Sequence, residues 1–182
     1  MAKINKGKVE FETEAKFGYL KGSSKWAKIL EADDYGNFSI SVYPDEETLK
    51  HFEDEMKELQ AAAVAELDDV GKKYMEADVI KEDDDGNKFV SFKLKEEGWE
   101  GKKNSIQIYD VYGNQVPDWD KLIGNGSVVK VKYRAAPYYM ASSKMCGVSY
   151  RFYAVQVIKL EEYTQGDSGF GDETDGDEDQ PF

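Results

Sequence analysis

In one stretch of the chain apolar residues recur at intervals of three and four: Leu49, Phe52, Met56, Leu59, Ala63, Leu67, Val70 and Tyr74. That spacing predicts a single long amphipathic helix, capped by Asp45 and ending near Gly71. Elsewhere the period is two, the mark of half-buried strands. Val9, Phe11, Thr13, Ala15, Phe17 and Tyr19 alternate with Lys8, Glu10, Glu12, Glu14, Lys16 and Gly18, which predicts one strand over 8–19 with the first set on its apolar side. Phe38, Ile40 and Val42 mark a second strand, closed by Pro44. Val90, Phe92 and Leu94 mark a third, after the turn signal Asp83-Asp84-Asp85-Gly86-Asn87. Residues 105–110 give a fourth, 127–135 a fifth behind Gly124-Asn125-Gly126, and 148–160 a last long one.

Five or six strands, with one helix inserted after the second or third, predict a mainly β fold: a small Greek-key barrel of the oligonucleotide-binding (OB) type. The 182 residues suffice for one such domain, expected over 1–165. Residues 166–182 hold seven acids and no base, and this Gly/Asp/Glu composition predicts a disordered tail. The net charge of −13 is therefore unevenly placed. The tail carries seven of the acids, and residues 45–69 hold ten acids against two bases, leaving 20 acids against 22 bases in the rest of the chain. An acidic tail, an acidic helix and a mildly basic remainder share one polypeptide.

Most catalytic chemistry lacks its residues. Cys146 is the only cysteine, so an internal disulfide is impossible and a zinc site could draw only on one thiolate and His51. His51 is the sole imidazole, lies in the acidic helix, and has no nucleophile placed by motif, so it is assigned no role. The stretch Gly18-Tyr19-Leu20-Lys21-Gly22-Ser23-Ser24-Lys25 has serines where a phosphate-binding loop needs a lysine and then a hydroxyl directly after its last glycine. Asp83, Asp84 and Asp85 fit a solvated hairpin turn, with a divalent cation as the alternative. No run is long and apolar enough for a membrane span, and the Met-Ala-Lys-Ile-Asn start lacks a signal-peptide core, so a soluble intracellular protein without cofactor or membrane contact is expected.

What remains is a set of bases interleaved with aromatics. Lys130, Lys132 and Arg134 share one face of the fifth strand, opposite Val129, Val131 and Tyr133, and Tyr138 and Tyr139 follow Pro137. Arg151 with Tyr153, and Lys93 with Lys95, add to this on other strands, and Trp99 precedes Lys102 and Lys103. Single-stranded nucleic acid calls for this pairing, because cations follow phosphates while rings stack on exposed bases. An ordinary barrel exterior, with solvated lysines and edge-packed tyrosines, is the alternative.

The stretches YGNFSISVYP, FEDEMKELQAAAVAEL, DDDGNKFVSFKLK, SIQIYDVYGNQV and above all LIGNGSVVKVKYRAAPYY resemble the bacteriophage gene 2.5 single-stranded DNA-binding proteins of the T-seven-type phages. The acidic end Gly176-Asp177-Glu178-Asp179-Gln180-Pro181-Phe182 resembles that family's other signature. The resemblance implies an OB barrel with a long helix packed on it and single-stranded DNA running over a basic, aromatic face. Lys130, Lys132 and Tyr138 fall on positions that the family uses for DNA, with Lys93, Lys95 and Arg151 on a looser alignment; the segment before Trp26 matches only faintly.

The expected function is therefore that of a non-enzymatic phage protein coating single strands without sequence preference in DNA replication, recombination and repair, in the cytoplasm of the infected bacterial host. Its tail, through Asp177, Glu178, Asp179 and Phe182, would compete with DNA for the basic cleft and recruit the phage DNA polymerase and helicase-primase. The resemblance further implies a homodimer. Two other readings are an acidic DNA mimic that inhibits a host nucleic-acid enzyme, which −13 would suit, and an OB-barrel enzyme subunit, disfavoured by the missing nucleophile and metal ligands.

Overall fold

The computed structural model describes residues 2–5, 8–11 and 15–161. In chain order the elements are β1 (Ala2–Asn5), β2 (Lys8–Phe11), β3 (Lys16–Lys28), β4 (Asn37–Tyr43), helix α1 (Glu46–Asp69), β5 (Met75–Glu76), β6 (Lys81–Glu82), β7 (Lys88–Lys95), a 3-10 turn at Trp99–Gly101, β8 (Gln107–Tyr109), β9 (Val128–Met140) and β10 (Met145–Lys159).

Five of the strands close on themselves. β3 pairs with β4, β4 with β7, β7 with β10, β10 with β9, and β9 returns to β3. Every pairing is antiparallel except β7 with β10, which run parallel and register Lys93 with Arg151. This is the five-stranded Greek-key barrel expected, with α1 entering after the second barrel strand. Alternation, reset in β10 by a bulge after Phe152, fills the interior: Leu20, Ile40, Val42, Val90, Phe92, Val129, Val131, Phe152 and Val155 are buried together. Burying each such side chain is worth about 1.5–3 kcal/mol, so the barrel wall is fixed by its inward residues and the outward ones are free to serve function.

The helix forms where its periodicity predicts. Asp45 accepts the Thr48 amide at 2.7 Å, and Glu46 and Glu47 complement the positive end of the helix dipole. Phe52, Met56, Leu59, Ala63 and Leu67 are buried. Phe52 meets Tyr133 edge-on at 5.4 Å and Tyr150 at 5.6 Å, so α1 plugs the barrel with aromatic rings. Gly71, at φ +69°, ends the helix and leaves Val70 exposed, whereas Tyr74, beyond the helix, is partly buried against the cluster that holds Ala63 and Leu67.

The single strand expected over 8–19 is two strands. β2 and β3 lie end to end along the same edge of β9, Glu10 opposite Tyr138 and Lys16 opposite Ala135. Between these two pairings β9 offers only Ala136 and Pro137, and a proline can donate nothing to a ladder. The interruption shifts the alternation by one. Phe11 is buried, whereas Phe17 and Tyr19, of the same parity, are exposed and Leu20 turns inward. A one-residue slip moves a whole set of side chains to the other face.

Candidate nucleic-acid interface

Outside the barrel, β3 and β9 lay their outward residues side by side. The register sets Phe17 against Arg134, Tyr19 against Lys132 and Lys21 against Lys130. Directly opposed side chains in a sheet stand about 5 Å apart, so two rings and four cations make one patch. Phe17 is 69% exposed and Tyr19 63%, far beyond what packing would leave open. The Lys130 ammonium lies 5.4 Å from the centre of the Tyr19 ring, a cation–π contact that holds charge and ring together. Lys130 and Lys132 are exposed, opposite the buried Val129, Val131 and Tyr133, as their alternation predicts.

Phe17, Tyr19 and Lys21 were missed by sequence reasoning. Their signal lies in Gly18 and Gly22, which flank Leu20 on the inner face. A Cβ on Gly18 would stand 2.7 Å from the Tyr133 hydroxyl, and one on Gly22 2.5 Å from the Tyr43 carbonyl. Only glycine fits there, so Gly18, Leu20 and Gly22 form the inner row and Phe17, Tyr19 and Lys21 point outward.

The remaining candidates divide. Tyr138 shares the outer face and is half-buried: its ring lies across Gly147 of β10, where a Cβ would meet its hydroxyl at 2.8 Å. Burial raises its phenol pKa, with a further push from Cys146. Tyr139 does not belong to the face. It is 5% exposed, packs with Phe11, Ala63, Leu67 and Cys146, and donates to the Lys73 carbonyl at 2.9 Å. Two consecutive strand residues point to opposite sides, so only one of the two tyrosines could face outward.

Arg151 joins the patch by register, paired with Arg134 of β9 on one side and Lys93 of β7 on the other. Lys93 and Lys95 are exposed on the outside of β7. Arg134 is less available, its side chain 12% exposed, because Glu10 reaches between the arginines: one carboxylate oxygen is 3.9 Å from Arg134 and the other 3.4 Å from Arg151. The Ser149 hydroxyl donates to Glu10 as well, at 3.4 Å. Tyr153 leaves the Arg151 face, because a bulge between Phe152 and Ala154 lets it pack against the core. Trp99 stands exposed in its 3-10 turn. The tail candidates Asp177, Glu178, Asp179 and Phe182 lie outside the described residues.

The acids in the C-terminal half of α1 sit away from this face, whereas the cap residue Asp45 feels the charge of Lys21. The C-terminal half covers Tyr139 and Cys146, on the side of β9 and β10 opposite Tyr138 and Arg151, so repulsion from its carboxylates falls on the far side of the sheet. His51 is exposed on α1. At the β6–β7 turn, Asp83 accepts the amides of Asp85 and Asn87 at 3.0 and 2.8 Å and the Tyr43 hydroxyl at 3.1 Å. Its carboxyl pKa is held down mainly by the Asn87 amide, and the residue is committed to closing the hairpin. Among the described residues, no three His, Cys, Asp or Glu side chains group to hold a metal ion.

The fold is that of solved phage proteins. The structure of gp2.5, a single-stranded DNA-binding protein encoded by bacteriophage T7, superposes with a TM-score of 0.68 at 22% identity, over 87% of this chain and 94% of that one. The single-stranded DNA-binding protein from bacteriophage Enc34 in complex with ssDNA gives 0.53 at 12% identity, over 88% and 95%. Its C-terminally truncated form gives 0.51 at 14%, over 90% and 95%. No protein-family model and no curated protein sequence matches the chain.

Proposed function

We propose that the protein binds single-stranded DNA, laid across the outer face of β3, β9 and β10, without reading its sequence. The observation that carries this is the facing of Phe17, Tyr19 and Lys21 with Arg134, Lys132 and Lys130. Lys21, Lys130, Lys132 and Arg151 would neutralise phosphates, with Lys93 and Lys95 extending the track over β7. Phe17, Tyr19 and Tyr138 would stack on bases, which a duplex hides. Stacking accepts any base, so coating follows and sequence preference does not. The shared fold with phage proteins that bind single strands supports the same reading.

The finer role is a non-enzymatic one in phage DNA replication, recombination and repair, inside the infected bacterial cell. Residues 166–182, with seven carboxylates and Phe182, would imitate phosphates and a stacked base. They would occupy the basic face of their own chain or of a dimer mate when DNA is absent, and engage the DNA polymerase and helicase-primase when it is bound. A flexible chain of this length reaches about 20–25 Å, enough to find such a face.

The test is fluorescence anisotropy with labelled oligo-dT and with a duplex, at low and moderate salt. Single strands should bind far more tightly than duplex, and deletion of 166–182 should tighten binding most at low salt, where repulsion is least screened. Equal affinity for the two forms would overturn stacking as the basis of binding. No affinity for either would favour an acidic DNA mimic.

A further inference from the structure

Trp26 sits where β3 breaks its own pattern. Lys25 registers with Ser41 and Lys28 with Ser39, so three residues of β3 are set against two of β4. Trp26 occupies this bulge at φ +53°, in the left-handed region that a bulky side chain adopts only under strain. The Asn125 side chain holds it there by accepting its amide at 2.9 Å, and neighbouring bonds pin the 124–127 turn to Ser24. The bulge turns Lys25 and Trp26 outward together and returns Ala27 to the core. A strained backbone with its own clamp leaves the indole 57% exposed, the opposite of what core packing would select.

The surroundings form a shelf. Phe89 meets Trp26 edge-on at 6.2 Å and stacks on Tyr43 at 5.0 Å with 23° between the planes. The Lys25 ammonium lies 5.4 Å from the Trp26 ring and 5.0 Å from the Tyr43 ring. A fixed, open indole beside an ammonium suits a nucleobase and the phosphate next to it. The shelf is continuous with the face already described, because Phe17, Tyr19, Lys21 and Lys25 all point outward along β3. At about 3.3 Å per residue, Trp26 lies some 15–30 Å along the strand from Lys21 and Phe17, too far to touch the same nucleotide.

We propose that Trp26, supported by Lys25, Tyr43 and Phe89 and positioned by Asn125, is a second base-stacking subsite that receives single-stranded DNA leaving the β3–β9 face. This rests on the single-strand reading above and names where the strand goes next.

Oligo-dT of about 4 nucleotides and of about 16 separates the two sites, because the shorter spans only the basic face. Trp26→Ala should weaken the longer strand roughly 5- to 100-fold and leave the shorter unchanged, with Trp26→Phe largely retaining affinity. Asn125→Ala should show a smaller loss on the longer strand alone. In the unaltered protein the longer strand should quench tryptophan emission, and the Trp99→Phe, Trp119→Phe double variant, which keeps Trp26 as its one indole, should keep that quench, a readout independent of whether the alanine variant folds. Binding of the longer strand unchanged by Trp26→Ala, equal weakening of both lengths, or a quench lost in that double variant would each overturn the subsite while wild-type affinity stands. Failure of the wild-type protein to bind either strand would instead overturn the single-strand reading itself.

Discussion

Glu10 and Arg151, which lie in β2 and β10, meet on the outer face at 3.4 Å, and the other oxygen of the same carboxylate faces Arg134 at 3.9 Å. The carboxylate therefore holds the place between two arginines that a DNA phosphate would take. Glu10→Gln keeps the shape and removes the charge. We expect tighter binding of single strands and a salt dependence steeper by about 0.7 log unit for each arginine released to a phosphate. A salt slope equal to that of the wild-type protein would show that Glu10 does not compete.

Ring removal should be costly where rings stand free. Tyr19→Ala and Phe17→Ala should each cost about 1–3 kcal/mol of single-strand binding, and Tyr19→Phe should cost little because the hydroxyl does not stack. Tyr138→Ala should fall in the same range, accompanied by a lower melting temperature, since its ring also packs on Gly147. Titration of oligo-dT with each variant checks this; normal binding by Tyr19→Ala would remove that ring from the interface.

Charge removal has a different signature. Lys130→Ala and Lys132→Ala should weaken binding to all sequences alike and lower the salt slope by about 0.7 log unit per lysine. Affinities of the double variant measured across a salt series decide the matter, and an unchanged slope would take both lysines out of the phosphate track.

The buried phenols make the fold sensitive to alkali. Tyr133 is pushed up to about 12, mainly by burial and then by Glu55, and Tyr43 to about 12 by burial and its bond to Asp83. Tyr150, enclosed and donating to the Val79 carbonyl, is raised as well. A raised phenol pKa means that the unfolded chain ionises first, so their contribution is whole below pH 10 and is lost as pH climbs from 10 through 12. Thermal melts should fall over that window, and Tyr133→Phe should fall less steeply; identical slopes would contradict it.

The helix was legible because its determinants are local: the Asp45 cap and the stripe from Phe52 to Leu67 need no partner to be recognised. The basic side of β9 was legible for the same reason, since Val129, Val131 and Tyr133 alternate strictly with Lys130, Lys132 and Arg134. The other half of the face was hidden. Its phase depends on an interruption opposite Ala136 and Pro137, a relation across the sheet that alternation within 8–19 cannot report. Gly18 and Gly22 add no hydrophobic signal although they line the inner side. Counting Tyr138 and Tyr139 together overlooked that neighbours on a strand part company, and Glu10 was invisible because its arginines come from distant strands.

Because β3 and β9 come from opposite ends of the described chain and supply alternate columns of one patch, the patch has no existence in either half alone. It is assembled only when β9 pairs with β3, strands separated by most of the described chain, so recognition of a ligand there reports that long-range pairing. A strand bridging the seam would ligate both sides, binding the native state and not the unfolded one, and would raise the melting temperature by mass action. Ligand and fold then guard each other: single strands would select intact rings from partly assembled ones, and a ring loaded with ligand would be slow to come apart.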